Sequence, residues 1–534
     1  MTTTNLDDRS RWVALIVLCL GSLMIVLDTT IVNVALPSIR QDLGFSQTTL
    51  AWVVNGYMLT FGGFLLLGGR LGDHYGHRRL FVIGIAVFTF ASMACGLAMA
   101  QGFLVAARAV QGLGGAVVSA VSLSLIVSLF REGAERAKAM GVFGFVAAGG
   151  GSVGVLLGGV LTDALSWHWI FLVNVPIGVA VCLLSLRVLP PGGGGRRQRL
   201  DVAGALTATT ALVLATYAIV NGNQAGWLSA QTVGLLIAAA ALAAAFIAVE
   251  SVVAAPLMPL SLFRLRNLST ANAIGVLWAA AMFAWFFLSA LYLQLVLGYS
   301  PLEVGLAFLP ANLVMGAFSL GLSAKLVMRF GIKAPLAFGL TLAALGLLLF
   351  ARAPVHGHFW ADVFPSMTLL GFGAGMAFNP VLLAAMGDVR PEDAGLASGV
   401  VNTSFMMGGA LGLAVLASVA ASKTSHLLAS GHSHASALVG GYHIAFLIGS
   451  AFAAAGALAA AYLLRAQQQP AEAADLERSS NSVRSEADPG SAGATEGGPN
   501  VHWRNRRDHR GRAGADRVGG RASGDEPAQA GASA

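Results

Sequence analysis

The sequence predicts an all-α membrane protein of fourteen transmembrane helices. Three observations lead there. Of the 534 residues, 56% are hydrophobic and 11% charged, with a mean hydropathy of +0.73, whereas a soluble domain carries roughly 25% charged residues. The apolar residues fall in runs of about 20, the length of helix that crosses a bilayer core of about 30 Å. The charges collect in the short stretches between runs. A soluble fold could not hide this much apolar surface, so the composition excludes a soluble enzyme and a nucleic-acid binder.

The runs lie at 12–34, 49–69, 80–100, 102–127, 139–162, 169–189, 202–220, 229–250, 271–296, 304–324, 334–351, 362–386, 396–421 and 441–464. Thirteen or twelve spans is the alternative if the seventh and eighth runs do not cross. The first run is too long for a signal peptide and lacks a small-residue cleavage site, so it reads as a retained span. An even number of spans puts both termini on one side. That side holds Arg9, Arg11, Arg70, Arg78, Arg79, Arg131, Arg136, Lys138, Arg187, Arg196, Arg197, Arg199, Arg264, Arg266, Lys325, Arg329, Lys333 and Arg390; the other holds Arg40, Arg352 and Lys423. Basic residues accumulate on the cytoplasmic side, so both termini are expected in the cytoplasm. Trp167, Trp169, Trp227 and Trp360 then fall at the outer interface, where amphipathic rings belong.

The chain also repeats itself weakly. Leu43-Gly44-Phe45-Ser46 returns as Leu297-Gly298-Tyr299-Ser300, and Arg70, Gly76 and Arg78 return as Lys325, Gly331 and Lys333 at nearly the same offset. Duplicated halves with a site between them are a common transporter plan. The offset predicts two six-helix bundles plus two inserted helices: a cytoplasmic N-terminus at 1–11, an N-terminal bundle at 12–189, a cytoplasmic loop at 190–201, inserted helices at 202–250, a cytoplasmic linker at 251–270, a C-terminal bundle at 271–465, and a tail at 466–534. The tail, rich in Gly, Ala, Ser and Arg without apolar periodicity, is expected to be disordered.

Two charges remain well inside spans, Asp28 and Arg108. An intramembrane ionisable residue is a functional candidate by default. Asp28 lies ~24 Å from the cytoplasmic start of its span and Arg108 ~9 Å below the outer face of its own, at 1.5 Å per residue. Both therefore reach the same level. Burial disfavours and a guanidinium favours an ionised carboxyl, a balance suited to taking up and releasing a proton; a fixed ion pair that only packs helices is the alternative.

Several motifs accompany these residues in order: LDTTIVNVALP (27–37), GGRLGDHYGHRR (68–79), RAVQGLGGA (108–116), WHWIFLVNVPIG (167–178), LYLQLVLGYSPLEVGLAFLP (291–310) and AGLASGVVNTS (394–404). Across roughly 12–465 the chain resembles the major facilitator superfamily and, more narrowly, the fourteen-span drug:proton antiporters of the QacA/EmrB type. The resemblance implies the superfamily's fold, proton coupling through Asp28 and Arg108, and a cytoplasmic gating turn formed by Gly69, Arg70, Gly72, Asp73, Gly76, Arg78 and Arg79. The glycines allow close helix contact and a tight turn, and Asp73 can accept hydrogen bonds at a helix N-terminus. The sequence departs from the pattern at Val155, where the glycine-rich fifth span of the family has proline, at His168 for arginine, and at Phe405-Met406 for Arg-Gln.

Aromatic, amide and methionine side chains suit varied lipophilic ligands. Asn33, Trp52, Asn55, Tyr57, Gln111, Trp285, Tyr292, Gln294, Asn402 and Met406 are candidates for the substrate cavity. No GxxxxGK[ST] loop for ATP and no HExxH metal site occurs, and His426, His432, His434 and His443 are too loosely spaced for a metal. No cofactor, metal, ATP or nucleic acid is expected; the partners are a small lipophilic substrate, protons and the bilayer. The function implied is proton-coupled efflux of lipophilic drugs or antibiotics across a bacterial plasma membrane, giving resistance. A proton-coupled metabolite exporter or importer on the same fold is the alternative, and a non-transporting membrane sensor a more distant one.

Overall fold

The computed structural model describes residues 8–130, 133–190, 201–253, 256–390 and 393–465. The tail 466–534, most of the 190–201 loop, and Arg131, Arg196, Arg197 and Arg199 lie outside the described residues. The elements are α1 (Asp8–Leu43), α2 (Ala51–Tyr75), α3 (His77–Gly96), α4 (Gln101–Leu129), α5 (Gly133–Ala164), α6 (Trp169–Leu172), α7 (Asn174–Val188), α8 (Val202–Ala225), α9 (Ala230–Val252), α10 (Arg266–Leu295), α11 (Pro301–Ala307), α12 (Leu309–Ala317), α13 (Ser323–Phe330), α14 (Lys333–Phe350), α15 (Phe364–Met386), α16 (Ala394–Ala429) and α17 (His434–Tyr462). No strand occurs among the described residues.

Among the described residues, thirteen helical segments are long and apolar enough to cross a membrane, the seventh and eighth runs among them. The tenth run is the exception. It is broken into α11, α12 and α13, with a wide π turn over Phe318–Leu322. Pro310 supplies no backbone N–H inside this stretch, and Gly321 adopts φ 122°, a conformation that side chains disfavour. The segment is apolar but not one helix.

The helices pair along their lengths, α2 and α3 against α4, α1 against α5, α10 against α16, and α14 against α15 and α17. α9 packs on α8, and α8 leans on α2 and α16. Contacts between the earlier and later helices run through α5 with α11 and α12, α2 with α16, and α1 with α10.

The sequence echoes are echoes of geometry. Gly44 and Gly298 both turn with positive φ, 71° and 74°, as do Gly76 and Gly331 at 94° and 74°. After each of the first two, a serine and a residue three positions on exchange bonds. Ser46 N–H donates to Thr49 Oγ1 (3.0 Å) while Thr49 N–H donates to Ser46 Oγ (3.1 Å); Ser300 and Glu303 do the same at 2.8 and 3.3 Å. At Ser300 the exchange is the capping box that opens α11, and at Ser46 it closes the turn that leads into α2.

Of the four interface tryptophans, Trp169, Trp227 and Trp360 are exposed but Trp167 is buried. Its indole N–H donates to Asp42 Oδ2 at 2.9 Å. The ring is covered while its N–H reaches an exposed carboxylate, so one hydrogen bond at the rim outweighed the interface preference. His168 stands 3.8 Å from the same carboxylate, where the family's arginine would stand.

Candidate functional site: a buried carboxylate–guanidinium centre

Asp28 and Arg108 meet. Arg108 Nη1 donates to Asp28 Oδ2 at 2.5 Å, and both side chains are fully buried. The partners come from five helices. On α4, one turn from Arg108, Gln111 Nε2 donates to Asp28 Oδ1 (2.7 Å), and its Oε1 accepts from Arg108 Nη1 (2.7 Å). The i, i+3 spacing puts both residues on one helical face. On α7, Asn174 Nδ2 reaches Asp28 Oδ1 at 3.4 Å and Ser92 Oγ of α3 at 3.1 Å. Gln111 also donates to Ser92 Oγ (3.1 Å), which in turn donates to the Phe171 carbonyl (2.9 Å). Arg108 Nε donates to the Val53 carbonyl of α2 (2.9 Å), and the guanidinium lies 4.5 Å from the Tyr57 ring centre and 5.6 Å from that of Phe171. Ser92 and Asn174 were not among the candidates from sequence. Asn174 sits inside the quoted WHWIFLVNVPIG motif, which was the available signal.

Glycine brings α5 against the helix that carries Asp28. A Cβ at Gly150 would stand 2.9 Å from Leu23, at Gly154 3.0 Å from the Leu27 carbonyl, and at Gly158 2.7 Å from the Ile31 carbonyl. These positions, four apart, form one face. With Val155 in place of proline, α5 runs unbroken from Gly133 to Ala164.

The other cavity candidates divide. Asn55 is buried on α2 with both amide atoms unpartnered among the described residues. Asn33 lies on α1 and, among the described residues, bonds its own helix, donating to the Thr29 and Thr30 carbonyls. Gln294 Nε2 donates across to the Val34 carbonyl at 2.8 Å. Met406 packs where α16 meets Gly62 of α2. Trp285 is buried with its ring against Phe286 and Phe308, and Tyr292 is buried with its hydroxyl donating to the Pro354 carbonyl at 2.8 Å. Trp52 faces Tyr217 of α8, and Asn402 stands on an exposed face of α16. Phe405 lies between Phe283 and Phe378.

The turn at 68–79 is built as follows. A Cβ on Gly72 would meet Val121 at 2.8 Å, so α2 touches α4 there, whereas Gly69 has room for one. Asp73 lies in the last turn of α2 and not at a helix N-terminus; it pairs with His77 Nε2 at 3.2 Å. Arg70 donates to the Pro256 carbonyl at 2.6 Å, Arg78 donates to the Leu186 carbonyl, and Arg79 is exposed.

Residues 18–413 match the profile of the Major Facilitator Superfamily. The chain is 41% identical over 416 residues to the cephamycin export protein CmcT of Amycolatopsis lactamdurans, covering 77% of this chain and 85% of that one. It is 38% identical over 449 residues to the puromycin resistance protein pur8 of Streptomyces alboniger, covering 84% and 89%, and 38% identical over 418 residues to the lincomycin resistance protein of Streptomyces lincolnensis, covering 77% and 85%. Its fold is that of a bacterial homologue of the human lysosomal transporter Spinster, solved inward-facing and unoccupied, with a TM-score of 0.59 at 16% identity over 87% of this chain and all of the other. The chain belongs to the Major Facilitator Superfamily, as a multi-pass membrane transporter and not an enzyme.

Proposed function

We propose that this protein exports lipophilic drugs or antibiotics in exchange for protons, confers resistance, and resides in a bacterial plasma membrane with both termini in the cytoplasm. The names of the relatives at 38–41% identity support the export reading. One observation carries the coupling: a carboxylate with no exposure whose oxygens accept from Arg108, Gln111 and Asn174.

An ionised carboxylate only accepts, whereas a protonated one also donates. Protonating Asp28 removes its charge from Arg108 and forces one donor to withdraw. The new O–H needs an acceptor, and the oxygens around it, Gln111 Oε1 and Ser92 Oγ, each already accept two bonds, so the network must repartner. Proton uptake thus rearranges contacts among α1, α3, α4 and α7 without moving a charge into lipid. Two six-helix halves with two inserted helices rock about a cavity edged by Asn33, Asn55, Gln111, Gln294 and Met406, and the turn from Gly69 to Arg79 governs the cytoplasmic opening. Energy comes from the proton gradient, without ATP.

The test is a resistance panel in a pump-deficient host, comparing the intact protein with Asp28→Asn. Asparagine keeps the shape but has no titratable proton to exchange. Resistance is expected to vanish at unchanged expression; equal protection by the two proteins would remove Asp28 from the mechanism.

A further inference from the structure

A second acidic centre lies away from Asp28, where α8 begins and α9 ends. Asp201 caps α8, its Oδ1 accepting the Gly204 N–H at 2.7 Å. Glu250 of α9 accepts the Met258 N–H on Oε2 at 3.1 Å. Each carboxyl therefore uses one oxygen to hold the backbone. The other oxygens, Asp201 Oδ2 and Glu250 Oε1, are buried, in residues 6% and 3% exposed. No N–H or hydroxyl among the described residues donates to either. A Cβ on Gly204 would stand 2.5 Å from one and 2.9 Å from the other, so the glycine leaves room for both at one point. There the two carboxyls hydrogen-bond each other.

An ionised carboxylate only accepts hydrogen bonds. Two of them side by side and out of water repel, and do not both stay ionised. A bond between them therefore holds a proton, and the pair carries one negative charge instead of two. Neither carboxyl has an ion pair among the described residues. Helices α8 and α9 bring no other acid or base to this end. From α2 come Arg70, which donates to the Pro256 carbonyl at 2.6 Å, and Asp73, which pairs with His77. Asp393 caps α16, whose own charges, Lys423 and His426, lie toward its far end.

These bonds form a continuous chain. It runs from α8 through Asp201, the proton and Glu250 to the Met258 N–H, and from the linker through the Pro256 carbonyl to Arg70 in the 68–79 turn. Between the two anchors, Leu257 is buried with Leu67 of α2 and Ala205 of α8.

We infer that Asp201 and Glu250 form a second proton-binding site, and that the proton there fastens linker residues 256–258 to the paired helices α8 and α9. A proton taken up from water closes the fastening. Its loss as pH rises leaves two like charges in contact, and the linker is released. The site stands whether or not Asp28 couples a proton; only its effect on the turn that holds Arg70 rests on the export reading.

Glu250→Gln and Asp201→Asn test it from the two sides. Each amide keeps an oxygen to accept from the backbone and offers an N–H to the remaining carboxylate, so the fastening holds without a proton. Hydrogen–deuterium exchange of the full-length protein in nanodiscs reads the amides of 256–262, as protection factors corrected for the intrinsic effect of pH. Protection in the intact protein is expected to fall at least tenfold between about pH 5 and 9, and to stay within twofold in both amide variants. Difference infrared spectra over the same range are expected to show the C=O band of a protonated carboxyl, which Asp28→Asn retains and Glu250→Gln loses. A failure of proton coupling at Asp28 and a failure of this site thus give different results. The inference is overturned by protection that does not change with pH in the intact protein, by an equal fall in a folded amide variant, by a band that survives Glu250→Gln, or by loss of the band in Asp28→Asn.

Discussion

Arg108 does three things at once: its Nη1 serves Asp28 and Gln111, its Nε serves the Val53 carbonyl, and its plane lies over Tyr57. A lysine has one ammonium and no plane. Arg108→Lys is therefore expected to keep a positive charge near Asp28 yet lose the fixed geometry, lowering the initial rate of proton-driven efflux in inverted vesicles at least tenfold at normal expression. Removing the cation altogether, as in Arg108→Ala, leaves a buried uncompensated carboxylate, a loss of about 3–5 kcal/mol; a fall in the melting temperature of the purified protein, far beyond that of Arg108→Lys, checks it. The pairing itself was legible in the sequence, because counting residues along two apolar runs put both charges at one depth. Ser92 and Asn174 were not, since a small polar side chain barely perturbs the hydropathy of its run and nothing in one sequence tells which face it lies on. Asp201 and Glu250 were hidden for another reason: they stand at span ends, where a charge normally reaches water, yet both are buried and hold the Gly204 and Met258 N–H groups.

At the scale of elements, the seam between α1 and α5 separates glycines that are needed from those that are not. The Cβ of Gly158→Ala would meet the Ile31 carbonyl at 2.7 Å, whereas that of Gly151→Ala would meet Thr30 at 3.8 Å, an ordinary contact. Overpacking costs about 1–3 kcal/mol, so Gly158→Ala is expected to lower thermal stability in detergent measurably while Gly151→Ala leaves it unchanged or slightly raised. A glycine-rich run announces close packing in the sequence, but not which of its members touch. The tenth run shows the same limit differently. Hydropathy reads it as one span because Pro310 and Gly321 hardly alter its average, although they decide where the backbone can continue. The caps after Gly44 and Gly298 were legible as a repeated tetrapeptide, and the structure adds the reason, a left-handed turn followed by a reciprocal bond.

For the whole molecule, the earlier and later helices touch through α5 and α11. A Cβ on Gly305 would lie 3.5 Å from the Cα of Leu156, and one on Gly159 2.7 Å from the Pro301 carbonyl. The Cα atoms of 156 and 305 are thus within disulfide range. In a background with Cys19, Cys95 and Cys182 replaced by serine, the pair Leu156→Cys and Gly305→Cys is expected to cross-link on oxidation and stop efflux, with activity returning on reduction. Full activity of the cross-linked protein would show that α5 and α11 do not part during transport. The sum of motifs foretold the superfamily and its helical architecture, now borne out by the family match.

The bond from Gln294 to the Val34 carbonyl joins α10 to the same helix that holds Asp28. Six residues separate Val34 from Asp28, about 9 Å of axial rise. On the proposed coupling through Asp28, trigger and clasp are therefore mounted on a single shaft. A twist or slide of that shaft by the length of one hydrogen bond, when the carboxyl changes its grip, reaches the fastening of the opposite half directly, with no loop in between to absorb it.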